Sequence, residues 1–237
     1  MTDPAPMDPG TAEPAALSRL LRARATAKVL GDPDAPLPPS RRRGSVDRLL
    51  ADAAWAPFHY PRPEGERGAL PSPVPWRAWA LDAPECRALL DRIRAEELSA
   101  GIVADMLAAA DAAVLLTWRP AGGRRAEDDP AGAFDGSLVN MEHVAAAGAM
   151  AQSLLLGATA MGWRSYWSSG GVLRGAPVTG WLGVPAQELS LGAVFLFPAE
   201  GGREARSGKL RGLRGGVGDW ARWCEVAPRP DPRGPAT

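Results

Sequence analysis

Apolar residues at helical spacing open the patterned part of the chain. Leu17, Leu20 and Leu21 share one face behind Pro14, which predicts a helix from Pro14 to Ala23. Val46, Leu49, Leu50 and Ala53 repeat the period behind Ser45, the expected cap, and Pro57 ends that stretch. Pro75 to Leu81 alternates as a strand does. Helical pattern returns from about Pro84 to Leu98 and from about Val103 to Ala110, followed by a buried strand from Ala113 to Trp118. A long apolar helix is predicted over about Leu138 to Met161. After it come a short strand at Ser165 to Trp167, a short helix at Pro177 to Leu182 and a hydrophobic strand at Leu191 to Phe197. Helices and strands interleave without a repeating βαβ unit, so the expected class is α+β, with helices around one sheet. Pro- and Gly-rich loops are expected at 60–74 and 120–136, the second of them mobile. Residues 1–12 and 227–237 lack any apolar period and are read as disordered tails, leaving one domain over 13–226.

Charge narrows the function. Among 237 residues, 27 Lys+Arg balance 27 Asp+Glu, and a chain without basic excess is a poor binder of nucleic acid backbones. Val144 to Trp163 carries no charge, but it is Ala- and Gly-rich and broken by Gln152, Ser153 and Thr159. It reads as a helix inside a protein rather than a bilayer span. Met1 to Pro9 lacks the basic and apolar regions of a secretory signal. Two distant cysteines, Cys86 and Cys224, and two histidines, His59 and His143, argue against a disulfide framework or a zinc site and fit a reducing cytoplasm. Dinucleotide, P-loop and nucleophile-elbow motifs are absent from the sequence.

Four segments carry candidate chemistry. Arg24-Ala25-Thr26-Ala27-Lys28, if extended, puts a guanidinium, a hydroxyl and an ammonium on one side, a set suited to phosphate, although a solvated basic face is the alternative. Lys209-Leu210-Arg211 repeats the spacing inside the Gly-rich basic run from Arg203 to Arg214. Trp167-Ser168-Ser169-Gly170 ends a strand in small residues, where a flat ring can approach the backbone. Pro57-Phe58-His59 closes a helix, and Pro75-Trp76 opens the next strand.

In this order the segments resemble the nitroreductase superfamily of flavoproteins, over about residues 14 to 226. The resemblance implies a three-layer fold with a mainly antiparallel central sheet surrounded by helices. It also implies a homodimer with FMN at the subunit interface. Arg24, Thr26 and Lys28, with Ala25 between them, and Lys209 and Arg211 would hold the flavin phosphate. Pro57, Phe58, His59 and Trp76, together with Trp167, Ser168, Ser169 and Gly170, would flank the ring or ribityl chain. The implied reaction passes a hydride from NAD(P)H through the flavin to a nitroaromatic, quinone or similar conjugated acceptor, with no protein nucleophile. Val74 replaces the family's polar residue before Pro-Trp, and the Tyr60–Val74 loop is longer than usual and could lid the cleft. Those departures keep a non-catalytic, flavin-sequestering relative as the alternative. Glu142 and His143 open the long helix and are read as helix-start residues or as lining the substrate side.

Overall fold

The computed structural model describes residues 14–121, 136–197 and 205–224, without the side chains of Ser207, Lys209 and Arg211. The expected tails, and the loop at 120–136 for most of its length, lie outside these residues.

The leading elements are α1 (Pro14–Ala23), β1 (Ala27–Val29), α2 (Arg43–Ala53) and β2 (Trp76–Asp82). After them come α3 (Ala83–Ala95), α4 (Ile102–Ala109), β3 (Ala112–Trp118) and α5 (Leu138–Ala160). The series closes with β4 (Arg164–Ser168), α6 (Ala176–Trp181), β5 (Leu189–Phe197) and β6 (Ala205–Ser207). A four-stranded sheet in the order β2-β3-β5-β4 forms the centre, and every pairing in it is antiparallel.

Helices cover both faces of this sheet. Val114, Leu116, Val194 and Leu196 pack against Val46 and Leu49 of α2 and against Met150, Ala151 and Leu154 of α5. On the other face Ala113, Leu115, Phe195 and Phe197 meet Leu90 and Ile93 of α3, Met106 and Leu107 of α4, and Val178 of α6. Cover on both sides is why β3 reads as an unbroken apolar run: all seven of its residues are buried. The α+β architecture expected from sequence is therefore present, with a second sheet added. That sheet is the pair β1-β6.

Some boundaries moved for physical reasons. Ser45 does not cap α2. The helix starts at Arg43 with Arg42 at the cap position and no side-chain cap bond. Tertiary charge contacts mark the start instead, Arg43 Nε at 3.3 Å from Asp82 and Arg42 Nε at 3.8 Å from Asp111. Asp82 also caps α3, its carboxylate accepting from the Glu85 amide. That helix stops at Ala95, short of Leu98, because Glu97 turns to φ +53° and the Leu98 amide bonds back to the Ile93 carbonyl.

Two buried arginines hold the 60–75 segment down. Arg62 Nη1 donates to Glu188 at 3.1 Å, and the two side chains are only 2% and 4% exposed. The guanidinium of Arg77 donates to the carbonyls of Leu70, Ser72, Val74 and Trp76. Burial, then the nearby Arg62, pull the Arg77 pKa below its ordinary value. Glu188 also accepts from the Thr117 hydroxyl, which in turn accepts from Trp79 Nε1 at 2.9 Å. These contacts fasten the segment to Glu188 and to β2.

Candidate functional site

Residues from the two ends of the described chain meet in the β1-β6 ladder. Ala27 pairs with Ser207, Lys28 with Arg206 and Val29 with Ala205. Directly opposed residues of an antiparallel pair project from the same face, so Lys28 and Arg206 stand side by side. Thr26, two residues before Lys28, forms a parallel bridge to Ser165 of β4, and its carbonyl accepts from the Gly208 amide at 2.9 Å. A Cβ at position 208 would sit 3.0 Å from that of Thr26, so glycine permits the close approach. The backbone then turns through a short 3-10 helix, Lys209–Leu213. The side chains of Lys209 and Arg211 lie outside the described atoms. Lys28 Nζ lies 4.5 Å above the Tyr166 ring. Arg24 is half-buried, and its amide continues the bonding of α1 to the Leu20 carbonyl. Ala25, also half-buried, presents only a methyl group.

Opposed like charges are unfavourable in a bare ladder. They suit an anion, and a phosphate monoester carries about −1.5 to −2 charges and accepting oxygens for every donor here. Thr26, Lys28 and Arg206 therefore fit a phosphate group on donor chemistry. Arg206 was not singled out from sequence; only its place in the basic run hinted at it.

The far end of β4 carries the next segment. Trp167 is 38% exposed, and its Nε1 donates to the Leu191 carbonyl at 3.3 Å. Ser168 is buried and accepts from the Gly170 amide at 3.1 Å. Arg174 fixes the turn by donating to the Ser169 carbonyl at 2.7 Å and the Ser190 carbonyl at 2.9 Å. Beneath it, Gly192 sits at φ +116° beside the register shift at Leu116/Thr117, and a Cβ there would lie 2.1 Å from the Ser168 carbonyl oxygen. Only glycine lets β5 pass under this turn.

Pro57, Phe58 and His59 stand apart from these groups. Phe58 meets Trp76 edge-on, with ring centroids 5.8 Å apart. Trp76 is 4% exposed and packs in the α2/α5 layer, so its ring supports Phe58 from below. Trp76 lies on β2 and Trp167 on β4, the two edges of the sheet, with β3 and β5 between. The register sets Trp167 in line with Ala80 of β2, so Trp76 lies three strand spacings, about 14 Å, across the sheet and four residues, about 13 Å, along it. One chain thus splits the expected ring contacts between two edges.

His59 is exposed, and its Nδ1 lies 2.9 Å from Glu142 Oε2 on α5. The next residue, His143, is buried, and its Nε2 is 3.2 Å from the Tyr60 carbonyl. Burial holds the His143 pKa below its ordinary value, opposed by backbone hydrogen bonding at Tyr60. Cys86 is fully buried, and desolvation pushes its thiol up to about 12, which leaves it inert at neutral pH.

A cavity of about 790 Å³ opens at the start of β5, lined among others by Thr117, Trp118, Val144, Arg174, Glu188 and Ser190. None of the residues selected from sequence line it. It adjoins the β4 turn through Arg174, which donates to the Ser169 and Ser190 carbonyls. Volume alone does not make it the reaction site: the phosphate-type donors lie elsewhere. Among the described residues no group of His, Cys, Asp and Glu could hold a metal ion, and no helix is long and apolar enough to cross a membrane.

No protein-family model matches the sequence, and no curated protein is similar to it in sequence. Solved structures are similar in fold. A nitroreductase-like family protein from Bacillus cereus superposes with a TM-score of 0.61 at 17% identity, covering 91% of this chain and 100% of that one. Nitroreductase CinD from Lactococcus lactis, in complex with nicotinic acid, gives 0.57 at 14% identity over 88% of this chain and 100% of its own. The FMN and NADPH-dependent nitroreductase NfnB from Sphigopyxis sp. strain HMH gives 0.56 at 16% identity over 88% and 99%. The chain has the nitroreductase fold.

Proposed function

We propose that this chain, as one domain over residues 13–226, is an FMN-dependent oxidoreductase. It would take a hydride from NAD(P)H and deliver it to a nitroaromatic, quinone or similar conjugated acceptor. The observation that carries this reading is the β1-β6 ladder, which sets Lys28 against Arg206 beside Thr26 and leads directly into the Lys209–Arg211 turn. Two proteins of the same fold point the same way: NfnB is described as FMN and NADPH-dependent, and CinD was crystallised with nicotinic acid and with chloramphenicol.

Bound FMN would supply the redox chemistry; the protein binds, orients and excludes water. Arg24, Thr26, Lys28, Lys209 and Arg211 hold the phosphate in this proposal, joined by Arg206, and Ala25 leaves room beside them. The Trp167–Gly170 turn offers buried Ser168 and bare backbone at Gly170 to the flavin. Pro57, Phe58 and His59, braced by Trp76, form the opposite wall. Because that wall and the β4 turn occupy opposite edges of one sheet, the complete cleft takes its second wall from another copy of the chain, as a homodimer. Unpaired Cys86 and Cys224 suit a reducing, cytoplasmic setting.

The test is an absorbance spectrum of purified protein with FMN, followed by anaerobic NAD(P)H. A flavin band that bleaches supports the oxidoreductase. A band that persists assigns the chain to flavin sequestration, and a protein that takes up no FMN rejects the site.

A further inference from the structure

No residue proposed to hold flavin lines the cavity at the start of β5. Its walls are mostly apolar, Trp118, Val144, Val184 and Leu189 among them, and about 790 Å³ suits a small organic molecule. Three of its polar groups differ in what they have left to give. Glu188 is spent: its carboxylate is paired with Arg62 and also accepts from the Thr117 hydroxyl. Ser190 accepts from the Gly192 amide at 3.1 Å, which leaves its own hydroxyl proton to donate. Arg174 donates to the Ser169 and Ser190 carbonyls and, among the described residues, to no carboxylate. A guanidinium has five N–H donors, so Arg174 keeps most of them and all of its charge.

The charge behind the wall has the same sign. Arg62 and Arg77 are both buried, and Glu188 is the carboxylate that serves them. Burial, Arg62 and Arg67 all disfavour the Arg77 cation, and Glu188 alone opposes them. The nearby carboxylate of Glu66 is 3.8 Å from Arg119, which offsets it. The guanidiniums of Arg62, Arg77 and Arg174 therefore stand against one carboxylate around an apolar hollow. Charge in such a place is screened less than at the surface.

We infer that this cavity binds an apolar organic monoanion, a ring system bearing one carboxylate or phenolate, with Arg174 as its anchor. The anion offsets the charge excess through charge-assisted hydrogen bonds to Arg174, and the apolar walls take the ring. A phosphate suits the cavity less, because its two charges and several oxygens would be buried against walls that are mostly carbon. The site needs no bound flavin, and none of its lining residues belongs to the β1-β6 ladder.

Equilibrium dialysis with radiolabelled benzoate tests this, with benzamide as the uncharged match in shape. Benzoate is expected to bind once per chain with a Kd of about 0.1–1 mM, and benzamide about tenfold more weakly or worse. Arg174→Gln is expected to weaken benzoate about tenfold or more. That change also releases two backbone carbonyls, so a second variant leaves the turn intact. Gly180 lines the cavity, and a Cβ there meets nothing within 4 Å. Gly180→Leu is expected to abolish benzoate binding while the urea midpoint holds or rises. Absence of benzoate binding, equal binding of benzamide, or full binding in both variants overturns the inference. Displacement of benzoate by FMN also overturns it, since the anion would then occupy the proposed flavin site. Bleaching of the flavin by NAD(P)H is read separately and decides only the oxidoreductase reading.

Discussion

Lys28 and Arg206 are direct partners across the β1-β6 ladder, two cations on one face of a two-stranded sheet. Such a pair costs the empty protein a few tenths of a kcal/mol and gains when an anion joins it. Arg206→Ala should therefore act in opposite directions. The unfolding midpoint of FMN-free protein is expected to rise slightly. FMN affinity is expected to fall about tenfold, the equivalent of one charge-assisted hydrogen bond. Fluorescence titration and urea denaturation read the two effects separately.

Gly192→Ala tests the turn at the end of β4. The new methyl would meet the Ser168 carbonyl oxygen at a backbone angle that side chains rarely adopt. A loss of about 3 kcal/mol or more is expected in urea denaturation, from strain and overlap together. Gly148→Ala is the control. Its methyl meets nothing within 4 Å inside α5, so a gain of about 0.5–1 kcal/mol is expected.

Glu188→Ala leaves the Arg62 guanidinium buried without its carboxylate, and strips Thr117 of its acceptor. The expected loss is about 3–5 kcal/mol by chemical denaturation. Replacing both partners, as Arg62→Met with Glu188→Leu, is expected to recover most of it, because the desolvated charge goes with the pair. Equal losses in the single and double variants would contradict this account.

Stability is expected to fall in mild acid, and His143 is the reason. Burial disfavours its imidazolium, so the folded chain takes up this proton only below the ordinary value of 6.5, whereas the unfolded chain takes it up at 6.5. Between the two the unfolded state binds more protons. Stability present above pH 6.5 is therefore lost as pH falls through 6.5 toward the folded value, by at most about 1.4 kcal/mol per pH unit for one proton. Urea midpoints from pH 7.5 to 5 should show that slope, and His143→Gln should lack this component.

Much of the scaffold was legible because local pattern and tertiary packing agree. Pro14 and the Leu17, Leu20, Leu21 stripe gave both ends of α1, and the apolar run gave β3 to within one residue. Where they disagree, pattern failed. Ser45 looks like a cap, yet charge contacts from Arg42 and Arg43 mark that helix start three residues earlier. Ala-Arg-Ser at β6 has no strand signature and becomes a strand only because β1 lies beside it. Arg62 falls in an expected loop and Arg77 on an expected strand, and nothing local announces that Glu188 and four carbonyls await them. The candidate site was legible as segments. That Trp76 and Trp167 stand on opposite edges required the strand order, which a single sequence does not contain.

The β1-β6 pairing also constrains when the protein can mature. Residue 28 emerges early from the ribosome, but its partner at 206 is made only after the whole central sheet. Synthesis proceeds at about 5–20 residues per second, so a nascent chain can bury its core before it completes the ladder proposed to hold phosphate. Closing so long a loop is slow and entropically costly, and any ligand that bridges the two strands would stabilise that closure. Capture of the proposed flavin would thus be a late event in biogenesis, and a shortage of it would leave β1 and β6, rather than the core, as the part more exposed to proteolysis.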